Sequence, residues 1–243
     1  MKLLIFIRGF LVLLLIPLVT FSTSLLAIVF LVIFRGSEQK AQILPRTWAK
    51  IILAASGVKV KVEGLENLDK GRPYIFAANH QSQFDIFAMQ GYFDFDFRWL
   101  AKKELFQIPF FGRAMQLSGS ISIDRSHGRE ALKSLKEAAE RIAAGTSVIL
   151  FPEGTRCLDG KLHDFKSGGM VLAIKSGVPL VPVGISGTYE ILPKGKLLAK
   201  PGHVIIRVGN PVETKEISAN KKHELAAMIQ GEVARLISGE AQV

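Results

Sequence analysis

Between Arg8 and Arg35 the chain carries no charged residue. That run, residues 9–34, is ~39 Å long as a helix at about 1.5 Å per residue. It is long enough to cross a hydrocarbon core of about 30 Å with some tilt. Its middle is different: Pro17, Thr20, Ser22, Thr23 and Ser24 form a polar, breakable patch between two apolar stretches. Broken there, the segment becomes two arms of ~18 Å, each reaching about halfway across a bilayer. Lys2 and Arg8 precede the run, and Arg35 and Lys40 follow it. Positive charge on both sides suits a re-entrant hairpin with both ends cytoplasmic. A hairpin and a single tilted span both remain open at this level. A cleaved signal peptide fits poorly, because the run exceeds a usual h-region and no clear small-x-small site follows.

Residues 36–56 read as an amphipathic connector. Leu44, Trp48, Ile51, Ile52 and Leu53 recur at roughly helical spacing, with Lys40, Arg46 and Lys50 among them. Such a helix either packs on the domain or lies at the headgroup level, anchored by Trp48 and the lysines. The chain therefore divides into an anchor with its connector, residues 1–56, and a globular part, residues 57–243.

The globular part alternates in period. Val58, Val60 and Val62 read as a strand, Tyr74 to Ala78 as a short buried strand and Phe84 to Tyr92 as a helix. Strands follow at Arg98 to Ala101, around Ile121 and Ile123, and at Ser147 to Phe151. Helices are expected at Phe110 to Leu117, Gly128 to Ala144 and Gly169 to Ser176. Leu180 to Ile185 and Val204 to Val208 complete the strands, and Leu225 to Ile237 is a terminal helix. Strands alternating with helices imply an α/β fold with a central, mostly parallel sheet flanked by helices.

The formal charge is +10 and 49% of residues are hydrophobic. A basic surface attracts nucleic acid, anionic headgroups or acidic substrates. The greasy N-terminus favours lipid and leaves a nucleic-acid partner without support. The single cysteine, Cys157, has no partner for an internal disulfide; it reads as a small core or site-rim residue.

Asn79-His80-Gln81-Ser82-Gln83-Phe84-Asp85 lies where a strand ends and a helix begins. Imidazole takes up and releases a proton near neutral pH, and a carboxylate beside it fixes its tautomer and stabilises the imidazolium. Residues five apart on one helix point ~140° apart, so the pair works only if His80 sits in the turn before the helix. Ser82 is a ready N-cap, and Asp85 three residues on is close to a capping box. Asp85 as a plain cap and Asp85 as the partner of His80 are compatible roles, and the local pattern does not choose between them. No G-x-S-x-G elbow surrounds Ser82, which argues against a serine nucleophile.

Phe151-Pro152-Glu153-Gly154-Thr155-Arg156 follows a strand, so it occupies the edge where open α/β sheets bind ligands. Gly154 permits close backbone approach, Thr155 offers a hydroxyl, and Arg156 a planar fork suited to phosphate. Glu153 is expected to orient Arg156 or to bond a substrate hydroxyl. Lys102-Lys103, Asp124-Arg125 and Phe165-Lys166 with Gly168 add cations at expected strand or helix ends.

These blocks resemble the 1-acyl-sn-glycerol-3-phosphate acyltransferases of the glycerolipid acyltransferase superfamily. Asn79-His80 with Asp85 is similar to that family's N-H-x4-D motif. Lys103-Glu104-Leu105, Pro109, Gly112 and Asp124-Arg125 resemble its second block. Phe151 to Arg156 with Phe165, Lys166 and Gly168 resemble the third, and Val181-Pro182-Val183 the fourth. Cys157 departs from the pattern, since many members have Ser there. The resemblance implies the glycerolipid acyltransferase fold and acyl transfer from acyl-CoA or acyl carrier protein to the sn-2 hydroxyl of lysophosphatidic acid, giving phosphatidic acid. It implies His80 as general base, Asp85 as its orienter, and Glu153, Gly154, Thr155 and Arg156 as holders of the glycerol phosphate. Arg125 and a lysine of the Lys102-Lys103 pair would assist. No metal and no resident cofactor are implied. The expected setting is the cytoplasmic face of the inner or plasma membrane. Another lysophospholipid or a lyso-aminolipid as acceptor, and a non-catalytic module that binds anionic lipid, are the competing readings.

Overall fold

The computed structural model describes residues 2–124 and 128–240. The N-terminal run forms one continuous helix, α1 (Lys2–Val32), with Pro17 in its interior. The hairpin is therefore not formed. The hydroxyls of Thr20, Ser22 and Thr23 donate to the carbonyls of Ile16, Leu18 and Val19. Each hydroxyl is thus absorbed by its own helix, which is why the patch does not break the chain.

The connector divides into α2 (Glu38–Ala41) and α3 (Ile43–Ser56). Ala49, Ile52 and Leu53 on α3 are fully buried. Trp48 packs edge-on to Phe87 at 5.1 Å and its indole Nε1 donates to Thr20 Oγ1 at 2.9 Å. Trp48 is thus a packing residue between α1 and the domain, the first of the two placements left open for the connector. The division at residue 57 falls between α3 and the first strand, yet α3 shares that strand's core.

The remaining elements follow in order: β1 (Val58–Glu63), β2 (Ile75–Ala78), α4 (Phe84–Tyr92), β3 (Arg98–Lys102), α5 (Phe111–Leu117), β4 (Ile121–Ile123), α6 (Arg129–Ala143), β5 (Val148–Leu150), α7 (Ser167–Ser176), β6 (Leu180–Ser186), α8 (Thr188–Ile191), β7 (Gly202–Val208) and α9 (Lys222–Ser238). Among the described residues the strands form one seven-stranded sheet in the order β1-β7-β6-β2-β5-β3-β4. All its pairs are parallel except β6 with β7.

Alternate residues of the central strands serve opposite faces. Phe76, Ala78, Ile149, Val181 and Val183 pack with α3 and α4. Ile75, Ala77, Val148, Leu150 and Leu180 pack with α6, α7 and α9. Burial on both faces explains why these strands read as unbroken apolar runs.

The topology sets the site. β2 and β5 are adjacent and parallel, but β2 leads to α4 on one face and β5 leads to α7 on the other. The two chain segments part at the carboxyl ends of the strands and leave a crevice between them.

Candidate active site

His80 leaves the end of β2 and Asp85 lies in the first turn of α4. His80 Nδ1 meets Asp85 Oδ2 at 2.8 Å. The same oxygen accepts from the backbone N–H of Gln81 at 2.7 Å and of Ser82 at 2.8 Å. An oxygen accepting two backbone N–H groups is an acceptor towards the imidazole as well, so the shared proton sits on Nδ1. Nε2 is left with its lone pair. Asp85 is fully buried, and the donors that reach it all converge on Oδ2.

The capping geometry is also present. Ser82 Oγ accepts from the backbone N–H of Phe84 at 3.1 Å while Asp85 reaches back to the Ser82 N–H. Cap and orienter are one carboxylate. Ser82 Oγ also donates to the Leu192 carbonyl at 2.7 Å, and Ser82 is wholly buried. It is a structural hydroxyl, not a nucleophile.

The loop after β5 lies beside this pair. Phe151 stacks on the His80 ring with centroids 3.9 Å apart and planes 11° apart, which fixes the ring's plane. Glu153 accepts from the backbone N–H of His80 at 2.6 Å and of His163 at 3.1 Å. Its carboxylate therefore does not reach Arg156 and does not line the cleft. The expectation that it orients Arg156 or holds substrate is corrected: it ties the His80 turn to the loop at residues 157–163. Burial pushes its carboxyl above the ordinary glutamate value, against the pull of those two N–H donors. Cys157 is buried and its N–H donates to the His80 carbonyl at 3.0 Å, so its place is in the rim of the site.

Gly154 adopts φ +78°, a left-handed conformation that glycine takes without strain. A Cβ there would lie 3.2 Å from Lys166 Nζ, so the same glycine lets that ammonium close over the loop. Gly154, Thr155, Arg156, His80 and Lys102 all line one cleft of about 670 Å³. Lys103 instead pairs with Asp124 at 3.3 Å and does not line it. Of the two lysines, Lys102 is the one in place. Arg125 lies outside the described residues.

Every residue of β3 lines this cleft, so it runs ~13 Å along the strand at about 3.3 Å per residue. Its far walls come from Ile16, Thr20 and Ala27 of α1, Trp48 of α3, Phe87 of α4 and Ala114 of α5. The lining is mostly apolar, with polar side chains such as Thr20, Ser24 and Gln90 from the helices and Arg98 and Lys102 from β3 among it.

Sequence reasoning missed three contributors. Phe151 was placed in a motif without a role. Asn79 exchanges two hydrogen bonds with the backbone of Ile185, 2.8 and 2.7 Å, and so extends the pairing of β2 with β6 up to His80. A polar amide directly after a buried strand was the available signal. Trp99 stacks on Phe151 at 6.0 Å and donates to Gln90 Oε1 at 2.7 Å, bracing the cleft wall.

A family model described as Acyltransferase matches residues 59–186, just over half the chain and the stretch that carries every motif above. The chain belongs to the acyltransferase family. Among the chain's relatives, a chloroplastic 1-acyl-sn-glycerol-3-phosphate acyltransferase from Arabidopsis thaliana is 35% identical, over 70% of this chain and 48% of its own length. A 1-acyl-sn-glycerol-3-phosphate acyltransferase from Saccharomyces cerevisiae is 35% identical over 82% of this chain and 66% of its own. The chain thus spans about half the length of the chloroplastic relatives it matches. The crystal structure of the 1-acyl-sn-glycerophosphate (LPA) acyltransferase PlsC from Thermotoga maritima superposes with a TM-score of 0.76 at 31% identity, over 98% of both chains.

Proposed function

We propose that this acyltransferase moves a fatty acyl group from a thioester to the sn-2 hydroxyl of 1-acyl-sn-glycerol 3-phosphate, giving phosphatidic acid. One observation carries the reading: His80, the cationic side chains of Lys102 and Arg156 and a largely apolar lining share a single cleft. The names of the relatives point to the same acceptor.

The proposed steps use the residues that line this cleft. Arg156, with Thr155, Gly154 and Lys102, holds the acceptor's phosphate at the strand edge. That places the neighbouring glycerol hydroxyl against His80 Nε2. His80 takes the hydroxyl proton as the oxygen attacks the thioester carbonyl, and Asp85 stabilises the imidazolium. The tetrahedral intermediate expels the thiolate, which takes the proton back from His80. The apolar slot along β3 accommodates an acyl chain. The chemistry uses no resident cofactor; acyl-CoA or acyl carrier protein is the co-substrate.

Membrane association fits the same reading. Leu4, Phe6, Leu11, Leu14, Leu18 and Leu26 are exposed along α1, while Gly9, Val12, Ser24 and Ala27 face the protein. A helix docked along one side and greasy along the other suits immersion in the headgroup–acyl boundary. The basic flanks at Lys2, Arg8, Arg35 and Lys40 suit the cytoplasmic face.

The test is radiolabelled acyl transfer to lysophosphatidic acid with each donor. Label is expected in phosphatidic acid with at least one donor, and absence with both sinks the reading. Arg156→Ala is expected to raise KM for the acceptor by about tenfold or more, since a charge-assisted bond to phosphate is worth roughly 1.5–3 kcal/mol.

A further inference from the structure

The segment after α8 makes contact with both site loops. The Leu192 carbonyl accepts from Ser82 Oγ at 2.7 Å, and Pro193 bridges Ser82. Two residues on, the half-buried Lys194 donates from Nζ to the Arg156 carbonyl at 2.9 Å and to Thr155 Oγ1 at 3.2 Å. The turn that presents this lysine is built for it. Lys196 N–H bonds the Pro193 carbonyl at 3.1 Å, and Gly195 between them has φ +88°, as the third position of a type II turn requires.

Both acceptors of the Lys194 ammonium named here are neutral, so its charge is carried into the anion loop rather than cancelled by a carboxylate. The bond to Thr155 has a direction. A hydroxyl oxygen that accepts from an ammonium has its own hydrogen free to donate, and the donation polarises it towards an anion. The bond to the Arg156 carbonyl fixes the backbone from which the guanidinium projects.

We propose that Lys194 is a positioning residue of the anion site: it aims the Thr155 hydroxyl and the Arg156 backbone at the acceptor's phosphate and adds its own charge behind them. This rests on the reading of the Arg156 loop as phosphate holder. It adds a residue from outside the motifs and some 38 positions downstream of Arg156. The predicted signature is weaker acceptor binding with turnover preserved, because Lys194 touches neither His80 nor the reacting hydroxyl.

The test uses the full chain and two readouts. Lys194→Met is expected to raise KM for lysophosphatidic acid by about tenfold, the scale of one charge-assisted hydrogen bond, with kcat within about threefold of wild type. Lys194→Arg is expected to recover most of the loss. Gly195→Ala, which keeps the lysine but strains the turn, is expected to fall between wild type and Lys194→Met. In the double variant with Thr155→Val, the two losses should combine to less than their product, because the hydroxyl depends on the lysine. Calorimetric binding of glycerol 3-phosphate should weaken in parallel. Wild type that fails to acylate lysophosphatidic acid overturns the proposed function. Lys194→Met that binds glycerol 3-phosphate as wild type does, or that loses kcat with KM unchanged, overturns the role of Lys194.

Discussion

The Asp85 carboxylate performs two tasks with one oxygen, and that explains the five-residue spacing to His80. Oδ2 closes the first turn of α4 through the Ser82 N–H and holds His80 Nδ1 at 2.8 Å. Asp85→Asn turns one acceptor into a donor or leaves an N–H unmet, so it is expected to disturb both the cap and the tautomer. Transfer assays should show His80→Ala lowering kcat by about 10² to 10⁴, the usual contribution of a general base. Glu153 shows where residue-level reading stopped. From sequence its neighbour Arg156 was the natural partner, but its actual partners are backbone N–H groups 73 and 10 positions away. Glu153→Gln can satisfy only one of these two donors and is expected to cost about 1–3 kcal/mol in denaturant unfolding. The pH dependence has a definite sign. Burial raises the folded pKa above that of the unfolded chain, so the native state holds this proton more tightly. The group's contribution to wild-type stability therefore falls as pH rises from the ordinary glutamate value through the raised folded value. The wild-type advantage over Glu153→Gln should shrink across that window.

At the scale of elements, period was informative and contacts between distant elements were not. Helix α4 spans the residues its apolar spacing indicated, and β2, β5 and β6 are the buried apolar runs. On α1 the hydroxyl residues left a break and a continuous helix both open, and the continuous helix is the one formed. Gly9, Val12, Ile16, Thr20, Ser24 and Ala27 recur every three or four residues and form the face that meets the protein. Thr20 is polar because it receives the Trp48 indole N–H, a partner 28 residues away that no local pattern reveals. Thr20→Val should therefore strand a half-buried donor and cost about 1 kcal/mol, whereas Ser22→Val on the exposed side should stay within about 0.5 kcal/mol. Thermal unfolding in one detergent distinguishes the two. A break-and-turn role would make both substitutions matter equally.

Across the whole molecule, the motifs meet because β2, β3 and β5 are parallel neighbours that end at one edge. The sequence located that edge, since each motif follows an expected strand. It did not show that α1 walls the cleft, because that depends on packing between residues tens of positions apart. The consequence is that α1 has two separable faces: the inner one completes the slot, and the outer one carries exposed Leu14 and Leu18. Burying a leucine is worth about 1.5–3 kcal/mol, so replacing both outer leucines by glutamate should cut partition into anionic lipid vesicles by about a hundredfold or more. Neither leucine lines the slot, so acyl transfer to a detergent-dispersed short-chain acceptor should persist in the Leu14→Glu/Leu18→Glu variant. Transfer to an acceptor embedded in vesicles should fall with the partition. Equal loss in both assays would mean that the outer face supports the slot itself. Retained vesicle binding would mean that the surface holding this protein at the membrane lies elsewhere than on α1.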